Sequence, residues 1–236
     1  MTDGECYLCG ESYTKRGISR HLRSCLPESS DGTTMYHLRI AGAQRPDYWL
    51  HLLVEAETLL SDLDSFLREL WVECCGHLSA FIIGTTRYEK SYDDQEPAIG
   101  LGGEWQSMDF ALEAIDRVTA GVEFTYEYDF GSTTTLELRV LDSGDWSLDE
   151  HEIQRTDASV TARNGIMLLA RNTPPEIECG NCGKPATKVC QPCLWQHGPD
   201  AWLCEACASD HEDDCDRPKY LPKVNSPRTG VCGYRG

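Results

Sequence analysis

YWLHLLVEAETLLSDLDSFLRELWVECCGHLSAFIIG, residues 48–84, changes its hydrophobic period twice, and those changes decide the fold. Tyr48–Ala56 is rich in aromatic and branched residues and reads as a strand. Thr58 then stands where a helix N-cap belongs, with Asp62 and Asp64 close behind it. Leu59, Leu63, Phe66, Leu67 and Leu70 recur at steps of three and four, which makes one apolar stripe on a helix. Gly76 ends that helix, and HLSAFIIG (77–84) resumes as a strand.

Working outward, MYHLRI (35–40) is a further strand on the same grounds. Met108, Ala111, Leu112, Ile115 and Val118 have helical spacing and predict a second amphipathic helix over 108–118. GVEFTYEYDFGSTTTLELRVL (121–141) alternates on both arms around Asp129–Ser132, the pattern of a hairpin. SVTARNGIMLLARN (159–172) carries Asn164-Gly165 between apolar runs and reads as another hairpin. The fold class expected is α+β: a mostly antiparallel sheet with two helices packed on one face.

Both ends of the chain are written in metal ligands. CYLCGESYTKRGISRHLRSC supplies Cys6, Cys9, His21 and Cys25 as C-x2-C-x11-H-x3-C. Near the other end Cys179, Cys182, Cys190, Cys193, Cys204, Cys207, His211 and Cys215 follow C-x2-C-x7-C-x2-C-x10-C-x2-C-x3-H-x3-C. A C-x2-C turn brings two sulfurs to one ion, and Zn²⁺ takes four such ligands in a tetrahedron. Ten of the thirteen cysteines and two histidines thus make three closed sets, predicting three Zn²⁺, with Cys74, Cys75 and Cys232 left over. The expected organisation is a zinc finger at 1–27, a linker over Leu26–Thr34, a core at 36–172, a hinge over Thr173–Glu178, a two-zinc module at 179–215 and a tail at 216–236.

Within the core, TLLSDLDSFLRELW, HLSAF and YEYDFGS resemble the plasmid pRiA4b ORF-3-like family, which includes passenger proteins of bacterial insertion elements; the likeness covers residues 36–142. It implies a compact α+β fold that tolerates appended zinc modules, and it carries over no catalytic residue. The eight-ligand array resembles cross-braced MYND and B-box domains, which bind proteins. That likeness implies interleaving, with Cys179, Cys182, Cys204 and Cys207 on one ion and Cys190, Cys193, His211 and Cys215 on the other. The ten-residue gap before Cys204 departs from the MYND spacing and holds His197 as an alternative ligand. Trp195 and Trp202 are read as the module's small core.

The net charge of −18, from 39 acidic and 21 basic residues, opposes non-specific attraction to nucleic acid and to anionic membranes. Only six of the basic residues are lysine, and the acid is spread along the chain, a surface suited to a halophile's cytoplasm. No basic leader followed by an apolar run opens the chain, and no run approaches the roughly 18 apolar residues of a membrane span. Cytoplasmic placement is therefore expected, with the paired cysteines as ligands rather than disulfides.

Four further motifs bear on function. Asp129-Phe130-Gly131 lacks the rest of a kinase signature, so Gly131 is read as a turn glycine needing positive φ. Cys74-Cys75-Gly76-His77 admits a structural, a metal-binding or a nucleophilic reading, and the structural one is preferred because no third orienting residue is evident. A zinc deaminase would need H-x-E upstream of P-C-x-x-C, but Pro192-Cys193 is followed by Leu-Trp-Gln and His151-Glu152-Ile153 breaks the first element. Lys15, Arg16, Arg20 and Arg23 surround His21 on the finger's helix and suit a nucleic-acid contact. The expected function is a non-enzymatic interaction or adaptor protein with a protein partner and no membrane; the alternative is a DNA-associated accessory protein of a mobile element.

Overall fold

The computed structural model describes residues 2–26, 28–90, 104–115, 118–146, 162–211 and 215–236. His151-Glu152-Ile153 lies outside the described residues.

The decisive stretch forms the strand, helix and strand expected of it. Trp49–Glu55 is β4, buried along nearly its whole length. Side chains alternate across a strand, so β4 serves two cores. Leu50, Leu52 and Val54 enter one, with Leu38 and Ile40. Trp49 and Leu53 enter the other, with Met35 and Met167. A strand covered on both faces has no polar side to show, which is why WLHLLVE reads as a nearly continuous apolar run.

The first face is covered by α2 (Leu60–Leu67), which buries Leu60, Leu63, Phe66 and Leu67. Each such side chain contributes about 1.5–3 kcal/mol when taken from water. The helix runs on as a π-helical turn, Arg68–Val72. Thr58 does not cap it: Leu59 occupies the N-cap position without a side-chain bond, and the Thr58 hydroxyl turns instead toward the carbonyls of Asn164 and Gly165.

The second expected helix does not form. Residues Met108, Leu112, Ile115 and Val118 are buried in the first core, but among the described residues of this stretch only Leu112–Ala114 make a helical turn, of 3-10 type. The backbone here is held by α2's own start, through Leu60 N–H to Phe110 O at 3.0 Å and Leu112 N–H to Thr58 O at 3.0 Å. The opposite face is covered by α1 (Lys15–Cys25), whose Ile18 and Leu22 join the second core. Of the two helices expected on one face only α2 forms there, and the finger's helix α1 covers the opposite face.

The described residues form an 11-stranded sheet in the order β2-β1-β11-β4-β3-β9-β8-β5-β6-β7, with β10 paired to β11. Its other strands are β1 (Asp3–Cys6), β2 (Ser12–Thr14), β3 (Glu28–Gly42), β5 (Ser79–Ile83), β6 (Thr86–Glu89), β7 (Glu104–Ser107), β8 (Glu123–Tyr128), β9 (Thr134–Trp146), β10 (Ala162–Arg163) and β11 (Ile166–Asn172). All named pairs are antiparallel except β6 with β7. The two hairpins form as read: β8 pairs with β9, and Asn164 (φ 49) and Gly165 (φ 73) make the two-residue bend between β10 and β11. In the β8–β9 turn the positive φ falls on Asp129 (φ 65) and not on Gly131, because the Asp129 carboxylate accepts from the N–H groups of Gly131 and Ser132 and stabilises its own left-handed backbone.

Three expected boundaries shift. Most of the supposed linker is strand, since β3 begins at Glu28 and Thr33 and Thr34 pair with Trp146 and Asp145. The finger is joined to the core sheet: β1 pairs with β11, Cys6 opposite Ala170. The supposed tail is packed, with Ser226, Arg228 and Thr229 buried by hydrogen bonding rather than by apolar area. Asn225 there accepts from Trp71 Nε1 at 3.0 Å, and Ser226 donates to Trp71 O at 2.5 Å. No helix among the described residues is long and apolar enough to cross a membrane.

Candidate metal centres

The finger begins with a tight turn after β1, where Gly10 (φ 75) donates to Cys6 O at 2.7 Å and Cys6 N–H donates to Glu11 O at 2.9 Å. Cys6 and Cys9 thereby face α1, whose first turn is capped by Thr14 accepting from Gly17 N–H. His21 and Cys25 lie one helical turn apart and point back at the turn. Cys6 and Cys25 sulfurs are 4.0 Å apart, and Cys9 Sγ is 3.3 Å from His21 Nε2. With Zn–S bonds of about 2.3 Å, the edge of a tetrahedron is about 3.8 Å, whereas a disulfide needs about 2.05 Å. The spacing fits ligands around an ion. All thirteen cysteines are free thiols. Burial, and then the neighbouring Cys6 sulfur, push the Cys25 thiol up to about 12, so these thiolates need a cation among them.

The module at the other end is built on β12 (Lys188–Cys190), β13 (Trp202–Leu203) and β14 (Tyr220–Pro222), with α3 (Gln191–His197) and α4 (Glu205–His211). Its ligands converge in two interleaved sets, Cys179, Cys182, Cys204 and Cys207, then Cys190, Cys193, His211 and Cys215. This is the division that the cross-brace resemblance implies; His197, at the end of α3, belongs to neither. Cys182 and Cys204 sulfurs stand 3.7 Å apart, Cys190 and Cys215 3.9 Å, and Cys193 Sγ is 3.3 Å from His211 Nε2. Burial raises the Cys179 thiol, but the backbone N–H groups of Cys204, Asn181 and Cys182 outweigh it and hold the group down to about 6. Trp202 is core, as read, but Trp195 is 76% exposed on α3 and is not.

A fourth cluster joins residues that the sequence left apart. Cys74, Cys75, His77 and Cys232 bring their ligand atoms within 4.8 Å of one another, as the other three sets do. The sequence offered Cys74-Cys75-Gly76-His77 with a metal-binding reading among three, but gave Cys232 no role. The available signal was arithmetic: three leftover cysteines and a nearby histidine are a complete set.

The finger's cations divide. Arg16, Arg20 and Arg23 are exposed at i, i+4 and i+7, one stripe of α1. Lys15 is partly buried and donates to Pro46 O. Lys15, Arg16 and Arg39 line an open groove of about 530 Å³.

No family model and no curated protein matches the chain. Among solved structures, a protein of unknown function, MM3350, from Methanosarcina mazei Go1, is similar at 17% identity and a TM-score of 0.39. That match spans 50% of this chain and 66% of the other, at a likeness too low to carry fold or activity across.

Proposed function

We propose that this chain is a zinc-binding, non-enzymatic interaction protein of a halophile's cytoplasm, with Zn²⁺ at the finger and at the two sets of the cross-braced module. The observation that carries the reading is closure: each set offers four protein ligand atoms within 4.8 Å. Four protein ligands fill the tetrahedron of a structural zinc and leave no position for an activated water. Trp195, 76% exposed on the two-ion module, supports a protein contact there, since large exposed aromatics anchor interfaces. The residues that resemble the pRiA4b ORF-3-like family form the platform to which these modules are joined.

A second reading, a DNA-associated accessory protein of a mobile element, is favoured by the single stripe of Arg16, Arg20 and Arg23. Against it stand the charge of −18 and the small reach of one finger, about three base pairs. Capture from a halophilic lysate, with and without nuclease, separates the two. Nuclease-resistant capture abolished by Trp195→Ala supports the interaction protein. Nuclease-sensitive capture abolished by the Arg16→Ala/Arg20→Ala/Arg23→Ala triple variant supports the alternative. Hydrolase or deaminase activity dependent on bound zinc would overturn both.

A further inference from the structure

We propose that Cys74, Cys75, His77 and Cys232 form a fourth site for a thiophilic divalent cation, Zn²⁺ in the cell, which clasps the carboxyl end of the chain onto the core. The inference rests on the zinc-binding reading above and adds a site and a purpose to it.

Three ligands come from the loop that follows the π-helical turn. That loop is held from several sides before any ion is considered. The Tyr128 hydroxyl donates to Glu73 Oε1 at 2.8 Å and accepts from the N–H groups of Cys74 and His77, both at 3.3 Å. Gly76, at φ +71 with open space around it, donates to Glu73 Oε1 at 2.6 Å and reverses the chain between Cys75 and His77. Arg68 Nη2 ties down His77 O at 2.7 Å. The result points two thiols and one imidazole at the same spot, with Cys74 and Cys75 sulfurs 3.4 Å apart and Cys75 Sγ 2.9 Å from His77 Nε2.

The fourth ligand arrives from 155 residues further along the chain. Cys232 Sγ lies 3.6 Å from Cys75 Sγ and 3.5 Å from His77 Nε2. Cys232 is one of three described non-glycine residues with positive φ, at 52°, and like the other two it sits in a turn, closed here by Tyr234 N–H to Val231 O at 3.1 Å. A cysteine held there costs of order 1 kcal/mol and needs something to offset it. A metal–sulfur bond does so.

Charge completes the case. Three thiolates, a neutral imidazole and a divalent cation sum to −1, and Arg228 lies against that charge while also pairing with Asp129, so the group with both side chains carries −1 rather than −3 without an ion. Its Nη2 reaches Cys74 Sγ at 3.4 Å and Asp129 Oδ2 at 2.6 Å, its Nη1 donates to Thr134 Oγ1 at 2.9 Å, and it is fully buried. The carbon of its guanidinium lies 4.8 Å from the centre of the Tyr128 ring. Arg228 and Cys232 therefore dock the same end segment by two independent bonds, one ionic and one through the ion. The other three sets each close within a single module; this one joins the core loop after Val72 to the segment that carries Arg228 and Cys232.

Elemental analysis of the full chain, purified without chelator, is expected to give four zinc ions per chain, and three for Cys232→Ser. Four in both proteins would place the extra ion elsewhere and overturn the proposal. Three in the wild type would overturn it while leaving the zinc-binding reading standing; one or none would sink both. Should Cys232→Ser fail to fold, alkylation of the wild type decides. The exposed Cys75 and the partly exposed Cys232 are expected to resist iodoacetamide until a chelator is added, and rapid alkylation with all zinc retained would refute the site.

Discussion

Replacing Asp64 by alanine removes the centre of the network on which both the core and the fourth cluster rest. Asp64 is fully buried on α2 and accepts from Arg68 Nε at 2.8 Å, Ser79 Oγ at 2.6 Å and Tyr126 OH at 2.8 Å. Arg68, itself buried, spends its remaining donors on Glu73, Ser79 and His77 O. Taking one partner from a buried ion pair costs about 3–5 kcal/mol, and the part-exposed Glu73 carboxylate is left as the one charge facing Arg68. With a urea m-value of about 2 kcal/mol/M, that lowers the unfolding midpoint by about 2 M. Urea titration of wild type and Asp64→Ala in excess zinc, followed by far-UV circular dichroism, measures it, because saturated metal sites keep ligand release out of the transition. Arg68→Ala and the double variant complete a cycle, and the double is expected to cost less than the sum of the singles. A midpoint shift below about 0.5 M at unchanged slope would refute the reasoning.

Three other outcomes are expected. Burial pushes His37 down to about 4 and His51 well below its ordinary value, and the two rings meet at 2.9 Å. A group depressed in the fold binds its proton more readily when unfolded, so the stability it contributes is present above about pH 6.5 and drains as pH falls toward 4, by about 3 kcal/mol. The difference between wild-type and His37→Gln stability should therefore vary over that window, and a flat difference would discount the pair. At Gly180 an added Cβ would stand 2.4 Å from the backbone of Asp200, whereas at Gly183 it meets nothing within 4 Å and carries only the strain of φ +71, of order 1 kcal/mol. Gly180→Ala is thus expected to shed zinc from the carboxyl-terminal module at lower chelator concentrations than Gly183→Ala does; equal sensitivity would contradict the packing. Chelation of all zinc should erase hydrogen-exchange protection in α1 and in β1 at its junction with β11, while β8 and β9 stay protected; simultaneous loss in all of them would mean that modules and core unfold as one unit.

The sequence by itself settled what depends on near neighbours. Period-two alternation marked β8 and β9, Asn164-Gly165 marked a two-residue bend, and C-x2-C spacing marked the knuckles, because each is a local rule acting over a few residues. The apolar spacing of Met108, Leu112, Ile115 and Val118 correctly named buried residues but not their backbone, since a 3-10 turn bonded to the start of α2 buries them equally well. Polar composition made a linker of Leu26–Thr34 and a tail of 216–236, yet β3 runs through most of the first and hydrogen bonds bury part of the second. Tertiary structure alone decided that α1 and α2 cover opposite faces, because β4 is apolar on both sides and its sequence cannot say which helix meets which side. It alone brought Cys232 to Cys75 across 157 positions. Each half of that set is incomplete by itself, and only the closing of the chain makes four ligands of it.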